Sequence, residues 1–229
     1  MKKRNNYWLS LFALAGFVIL LAISCKKDST NNTVTDIDGN IYHPVAIGSQ
    51  TWMVENLKVT RYNDGTAIPS LSENLAWSYS VTPGYCWYNN DVVNKDTYGA
   101  MYNWYTVNTG KLCPAGWHVP SDNEWTILTN YLGGLSLAAG KLKETGILHW
   151  NNPNTDATNV SKFTALPGGY RRYSDGIFFS IRDNGTYWSS TPINSYAAWS
   201  RALTNYNTTD VQVISDDKSY GISVRCIKD

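Results

Sequence analysis

One strong helix signal lies between two stretches of short strand patterns, and this order constrains the fold more than any other feature. Ser121 is followed three residues later by Glu124, which is the spacing of a helix capping box. Apolar residues continue at helical spacing as far as Leu132, and a Gly-Gly pair then ends the pattern. The sequence therefore predicts a helix over residues 121–132.

Strand patterns lie on both sides of this helix. Two hairpin signals precede it, at Asp38-Gly39 and Gly48-Ser49. Strand patterns follow it over residues 177–181, 186–190, 198–203, 210–214 and 221–227. Shorter helices are predicted over residues 98–107 and 137–145. This order favours an α+β fold with a mostly antiparallel arrangement of short strands and two or three short helices.

The first residues predict export and attachment to a membrane. Three basic residues precede an uncharged, mostly apolar run over residues 7–23, and small residues lead up to Cys25. A cysteine at this place resembles the lipobox of bacterial lipoproteins, in which cleavage leaves the cysteine as a lipid-bearing N-terminus. The alternatives are a plain secretory signal and an uncleaved anchor, although about 17 residues is the lower limit for spanning a bilayer.

We accordingly expect a signal peptide over residues 1–24, a flexible polar tether over residues 25–33 and one domain over residues 34–229. The lipid on Cys25 is the predicted contact with the membrane. The Lys26-Lys27-Asp28 segment resembles export signals of surface-displayed lipoproteins, which favours the outer membrane or cell surface. Without residues 1–24, three of the 19 basic residues are lost and all 18 acidic ones stay, which leaves a net charge of −2. Nucleic-acid binding therefore lacks its electrostatic footprint.

Seven segments, taken in order, resemble one known family. They are GSQTWMVENL (48–57), WYNND (87–91), YGAMYNW (98–104), CPAGWHVPSDNEW (113–125), FTALPGGYR (163–171), GTYWSS (185–190) and SVRCI (223–227). Together they resemble the Fibrobacter succinogenes major paralogous domain, over about residues 34–229. The resemblance implies a C-type-lectin-like fold, as used by sulfatase-modifying factors, in a surface or extracytoplasmic lipoprotein. It implies no known reaction.

Three cysteines remain beyond Cys25, which is an odd number for an oxidising compartment. The resemblance implies that the chain ends meet in one sheet beside the helices. This favours a bridge between Cys113, which precedes the main helix, and Cys226, which lies in the last strand. A Cys86–Cys113 pair and three reduced thiols are the alternatives. With the favoured bridge, Cys86 is expected to be a buried thiol.

The catalytic patterns of the enzymes that share the implied fold are missing from the matching positions of this sequence. Sulfatase-modifying factors use a close cysteine pair, and their iron-dependent relatives use His-x-x-x-His-x-Glu; neither occurs in this sequence. Gly-x-Ser-x-Gly and a phosphate-binding glycine loop are also absent. His118 is expected to be a hydrogen-bonded structural residue. The sequence therefore predicts a protein without enzymatic activity.

Aromatic residues in the irregular segment over residues 63–97 are the predicted ligand-binding surface, because exposed aromatic rings are enriched at interfaces. These residues are Trp77, Tyr85, Trp87 and Tyr88. Most of the other tryptophans are expected in the core. Asn89 and Asp91 could supply oxygen ligands to a calcium ion, but the tripeptides of the sugar-binding C-type lectins are absent. No cofactor is therefore predicted, and a structural calcium is the alternative.

These observations predict a non-catalytic binding or adhesion module on the cell surface, with a glycan or a surface protein as its partner. The first alternative is a structural envelope protein. The second is an enzyme related to the sulfatase-modifying factors with displaced chemistry.

Overall fold

The computed structural model describes Met1, residues 33–206 and residues 210–229. The predicted signal peptide beyond Met1, the lipid site Cys25 and the predicted tether before Thr33 lie outside the described residues. In the part of the chain that is described, no helix has both the length and the apolar character that crossing a membrane requires.

Short helices and short strands alternate along the described chain. The α-helices are α1 (Asn74–Ser78), α2 (Lys95–Tyr98), α3 (Trp104–Val107), α4 (Asp122–Tyr131) and α5 (Leu135–Leu142). The strands of the first half are β1 (Val34–Thr35), β2 (Ile41–Tyr42), β3 (Pro44–Ile47), β4 (Gln50–Met53), β5 (Tyr85–Cys86), β6 (Met101–Tyr102) and β7 (Trp117–His118). Those of the second half are β8 (Tyr170–Arg171), β9 (Phe178–Phe179), β10 (Asn184–Pro192), β11 (Ala197–Thr204), β12 (Gln212–Asp217), β13 (Ile222–Ser223) and β14 (Ile227–Lys228).

The strands form two main sheets. The larger has the order β12-β11-β10-β13-β6-β5, in which β10 and β13 are parallel and the other neighbours antiparallel. The smaller is the antiparallel sheet β3-β4-β14-β7. The antiparallel pairs β1-β2 and β8-β9 form two further sheets of two strands each. The predicted α+β class with mostly antiparallel strands is confirmed. The C-type-lectin-like resemblance stays a prediction, and the described residues hold five short helices where two or three were expected.

Helix α4 is confirmed together with its cap. The Ser121 hydroxyl accepts a hydrogen bond from the Glu124 backbone N–H at 3.3 Å, and the Glu124 carboxylate accepts one from the Ser121 backbone N–H at 2.8 Å. This reciprocal pair satisfies two donors that a helix N-terminus would otherwise leave unpaired. Trp125 and Leu128 are the buried apolar residues of α4, so the predicted face is the one that packs.

The continuous helix predicted over residues 98–107 is wrong. The chain forms α2, the strand β6 and then α3. Gly99 has a φ of +75°, and a Cβ at this position would lie 2.7 Å from the Leu57 carbonyl oxygen. The positive φ ends α2 in a conformation that favours glycine, and the close approach to Leu57 leaves no room for a Cβ. Asn103 then caps α3, since its side-chain oxygen accepts the Thr106 N–H at 3.1 Å.

The second half departs from the predicted strands mainly at their ends. The pattern over residues 177–181 forms only the two-residue strand β9, and the pattern over residues 221–227 divides into β13 and β14. Arg225 lies between β13 and β14 and is fully buried. Its guanidinium donates to the carbonyl oxygen of Phe163 and, at 2.6 Å, to the side-chain oxygen of Asn56. Both acceptors lie outside the strands, and they pair a cation whose burial would otherwise be costly.

Three apolar clusters of buried residues lie in the described part of the chain. The first is around Trp188 and Tyr102, the second around Trp52 and Trp125, and the smallest around Trp77 and Tyr88. Most of the tryptophans expected in the core are therefore there. The disulfide between Cys113 and Cys226 lies in the first cluster, with the Cα atoms 6.1 Å apart. The predicted pairing is confirmed, and the bridge ties the approach to α4 to the end of the chain.

Candidate ligand-binding site

The four aromatic residues predicted to bind a ligand do not form one exposed surface. Trp77 is only 1% exposed, and its indole N–H donates to the Ser219 carbonyl oxygen at 2.8 Å. Tyr88 is also buried, with its ring 5.3 Å from the Phe178 ring. The predicted exposure is wrong for Trp77 and Tyr88, because partners from the second half of the chain cover both side chains.

Tyr85 and Trp87 stay partly accessible on the other side of the same segment. Their rings meet edge to face with centroids 5.4 Å apart, and the Lys95 ammonium lies 5.9 Å from the centre of the Trp87 ring. Cys86 between them is buried, as expected when successive side chains of a strand point to opposite faces. This alternation leaves two of the four predicted aromatic residues as a small surface.

The two residues considered as calcium ligands have local backbone roles. The Asp91 carboxylate accepts the Val93 N–H at 3.0 Å and so caps a short 3₁₀ helix, Val92–Asn94. Asn89 adopts a φ of +53° within the preceding 3₁₀ turn, a conformation that asparagine tolerates. No group of three or more His, Cys, Asp or Glu side chains suited to a metal is present among the described residues.

His118 links the capped helix to the last residue of the chain. Its ring nitrogens lie 2.6 Å from an Asp229 carboxylate oxygen and 2.9 Å from Glu124 Oε1. Burial alone would lower the pKa of His118, but the hydrogen bonds to Asp229 and Glu124 outweigh burial and raise it. Because the Cys113 sulfur is part of the disulfide, it offers no thiol that His118 could activate as a base.

Cys86 is the one free cysteine among the described residues, and it is buried. Burial raises the pKa of its thiol to about 12, although the nearby Arg171 guanidinium acts in the opposite direction. A thiol of this kind is a poor nucleophile at neutral pH, because the thiolate is the reactive form.

A cleft of about 220 Å³ opens on one face of the larger sheet, and we call it the sheet cleft. Thr186 on β10 lies opposite Ala202 on β11, which lies opposite Gln212 on β12. Residues directly opposite one another, and alternate residues along a strand, share a face of the sheet. The same face therefore also carries three further lining residues of these strands, Asn184, Ile214 and Asp216.

Two tyrosines, Tyr170 and Tyr220, complete the lining of the sheet cleft together with Ile222 of β13. The rings of Tyr170 and Tyr220 meet edge to face at 5.8 Å. Tyr170 also stacks on Phe179 at 5.8 Å, and Tyr220 lies 5.2 Å from Tyr173. These ring contacts hold the two tyrosines in place, so the aromatic side of the cleft is preformed.

The polar side chains of the sheet cleft have unused hydrogen-bonding capacity. Within the described structure, the side chains of Asn184, Thr186 and Gln212 have no hydrogen-bond partner, although Thr186 is only 5% exposed. Asp216 accepts one hydrogen bond, from the Ser200 hydroxyl at 2.5 Å. Burial raises the pKa of Asp216, while the bond from Ser200 opposes that rise. Convergent polar groups without protein partners are what a ligand site requires.

The model of the Fibrobacter succinogenes major domain matches residues 45–228. The chain belongs to this family. A search of curated proteins and a search of solved structures gave no match. All residues of the sheet cleft lie inside the matched range, so the cleft is part of the Fibrobacter succinogenes major domain itself.

Sequence reasoning missed the sheet cleft of this family member. Its residues come from five separate segments between Tyr170 and Ile222. One local signal was present, because Asn184 and Thr186 alternate with Gly185 and Tyr187 at the start of β10. Polar residues at alternate positions of a buried strand indicate a polar patch on one face of the sheet. They do not show which strands pair with β10 or that two tyrosines lie beside that face.

Proposed function

We propose that this member of the Fibrobacter succinogenes major domain family is a non-catalytic binding or adhesion module whose ligand occupies the sheet cleft. One observation carries the proposal: Asn184, Thr186 and Gln212 present unpaired polar groups beside a preformed pair of tyrosines. Preformed concave sites with a few convergent polar groups are typical of ligand binding.

The chemistry of the cleft supports binding over catalysis. Among its lining residues in the described structure, Asp216 is the one carboxylate, whereas glycoside hydrolysis typically uses a pair. The two sulfurs of the bridge and the buried Cys86 thiol offer no reactive thiolate. Sulfatase-modifying factors and their iron-dependent relatives depend on a close cysteine pair or a His-x-x-x-His-x-Glu motif, and this sequence has neither.

The proposal includes display at the outer membrane or cell surface, where the lipid on Cys25 is the contact with the membrane and a glycan or a surface protein is the partner. The basic, apolar and small-residue sequence of residues 1–24 supports this location. Radiolabelled palmitate should be incorporated by the wild-type chain and not by Cys25→Ser. Equal labelling of both proteins would contradict lipidation at Cys25.

Ligand binding is tested by a thermal-shift screen of the purified full chain in a detergent that has no sugar headgroup. Glycans and peptides of surface proteins are added, with calcium and with a chelator. A ligand at 100 times its dissociation constant stabilises the folded state by about 2.7 kcal/mol. Tyr220→Ala should abolish a shift that the control Tyr79→Ala retains, because Tyr79 is 82% exposed and lies outside the cleft.

A flat response across both ligand classes from a well-folded protein would contradict binding and favour the alternative of a structural envelope protein. A shift that survives in a folded Tyr220→Ala variant would place the ligand outside the sheet cleft. Turnover of a panel ligand by the wild-type chain would contradict the non-catalytic assignment and favour the enzyme alternative.

A further inference from the structure

We propose that the sheet cleft accepts one uncharged sugar residue and discriminates against sugars that carry a carboxylate. This inference rests on the proposed binding function and names the ligand class of the same site. Its support comes from the size of the cleft, the chemistry of its polar groups and the charges around it.

Size limits the ligand to about one ring. The cleft holds about 220 Å³, which is less than the roughly 300–1,000 Å³ typical of sites for drug-sized molecules. It is open on one side, because it lies on the face of a sheet and is bordered by Tyr170 and Tyr220. A single sugar, or one residue of a longer glycan that continues into solvent, fits this shape.

The polar groups match a cluster of hydroxyls. Each sugar hydroxyl both donates and accepts hydrogen bonds, so it needs partners of both kinds. The amides of Asn184 and Gln212 each offer two donors and an acceptor, the Thr186 hydroxyl offers both, and Asp216 offers acceptors. The C–H groups on a pyranose face are apolar, and tyrosine rings together with Ile222 supply apolar surface beside the polar groups.

The charges around the cleft disfavour an anion. Asp216 lies in the cleft wall and is the one carboxylate among the lining residues of the described structure. Arg172 and Lys218 each lie two residues from the lining along the chain, and both have other partners: Arg172 is paired with Asp175, and the Lys218 ammonium donates to the carbonyl oxygens of Asn194 and Ser195 at 2.7 and 3.2 Å. A sugar carboxylate would therefore lose water and meet a like charge without gaining a counterion.

A peptide fits these observations less well. Peptides that add to a sheet bind the free edge through backbone hydrogen bonds, and protein partners insert aromatic or arginine side chains into apolar pockets. The unpaired groups of the cleft are instead side chains on the face of the sheet, on the inner strand β10 as well as on the edge strand β12.

Matched sugar pairs test the inference with the full chain in the same detergent. The probes are the methyl glycosides of glucose, galactose and mannose, each compared with the corresponding methyl uronide, which differs only in having a carboxylate at C6. Saturation-transfer NMR with titration measures binding in the millimolar range expected for one sugar ring. At least one neutral glycoside should bind, and its uronide should bind at least about tenfold more weakly, which corresponds to about 1.4 kcal/mol.

Two substitutions assign the effect to the cleft. Asp216→Asn removes the charge and retains a hydrogen-bonding group, so it should bring the affinities for the uronide and its neutral partner within about threefold. Asp217→Asn is the matched control, because it makes the same charge change on the same strand, keeps an acceptor for the Ser219 N–H, and lies outside the cleft lining. Tyr220→Phe retains the ring and should retain binding of the neutral sugar, whereas Tyr220→Ala should lose it.

The outcomes separate this inference from the proposed function. Equal binding of neutral and acidic sugars would overturn the charge selection and leave the binding function standing. No binding of any glycoside, together with a peptide-induced thermal shift that Tyr220→Ala removes, would overturn the sugar class alone. No response to sugars or peptides would overturn both. Selectivity that Asp217→Asn abolishes and Asp216→Asn retains would refute the role of Asp216.

Discussion

Loss of the Cys113–Cys226 bridge should lower the free energy of unfolding by about 4.8 kcal/mol. The bridge joins residues 113 positions apart. Closing a loop of that length removes about 16 cal/mol/K of conformational entropy from the unfolded chain, which gives about 4.8 kcal/mol at 25 °C. This is a large share of the roughly 5–15 kcal/mol by which a domain is usually stable.

Urea unfolding followed by tryptophan fluorescence measures the loss for the reduced chain and for the Cys113→Ala/Cys226→Ala double variant. Both should also have a larger m-value than the oxidised chain, because an unfolded chain without the bridge exposes more surface. Cys86→Ala is the matched control, since it removes a buried sulfur and leaves the bridge closed. A loss below about 2 kcal/mol on reduction, under the usual range for a disulfide, or an equal loss in Cys86→Ala, would refute the loop-closure reasoning.

Three further predictions concern other contacts. His118→Gln should destabilise the fold more at pH 5.5 than at pH 9. The pKa of His118 is raised in the folded chain, so the protonated ring stabilises the fold. This contribution is complete below about pH 6.5, the pKa of an unperturbed histidine, and is lost as the pH rises through the folded-state pKa. Urea midpoints at the two pH values test this, and equal losses contradict it. Arg225→Met should lower the free energy of unfolding by about 3 kcal/mol or more, because hydrogen bonds to a charged group contribute roughly 1.5–3 kcal/mol each; a loss under about 1 kcal/mol in urea unfolding would count against it. Trp77→Ala should cost about 3–5 kcal/mol and the partly buried Trp87→Ala less than half as much, so a reversed order of thermal midpoints would contradict their burial.

Sequence patterns within a few residues predicted local structure well, but they did not predict packing between segments that are distant in the sequence. Ser121 and Glu124 specify the start of α4 because both partners of the cap lie within four residues. Trp77 was expected at the surface because its own neighbourhood has no regular pattern. Its burial depends on the Ser219 carbonyl and on the Arg171 guanidinium, which lies 4.6 Å from the ring centre.

The sheet cleft was hidden for the same reason and for a second one. The segments that carry Tyr170 and Ile222 are two-residue strands, too short to show any periodicity. Gln212 and Asp216 lie in one strand, but the sequence pattern predicted that this strand would end at residue 214. The structure extends β12 to Asp217, and this extension places Asp216 on the same face as Gln212.

Burial of Cys86 protects the bridge from rearrangement. Exchange between a thiol and a disulfide requires attack by a thiolate, and a thiol with a pKa of about 12 is ionised in a fraction on the order of 10⁻⁵ at pH 7. While the chain is folded, the Cys86 thiol should therefore not exchange partners with Cys113 or Cys226. For the same reason, two copies of the folded chain should not become crosslinked through Cys86, and the bridge should persist for as long as the core around that thiol stays closed.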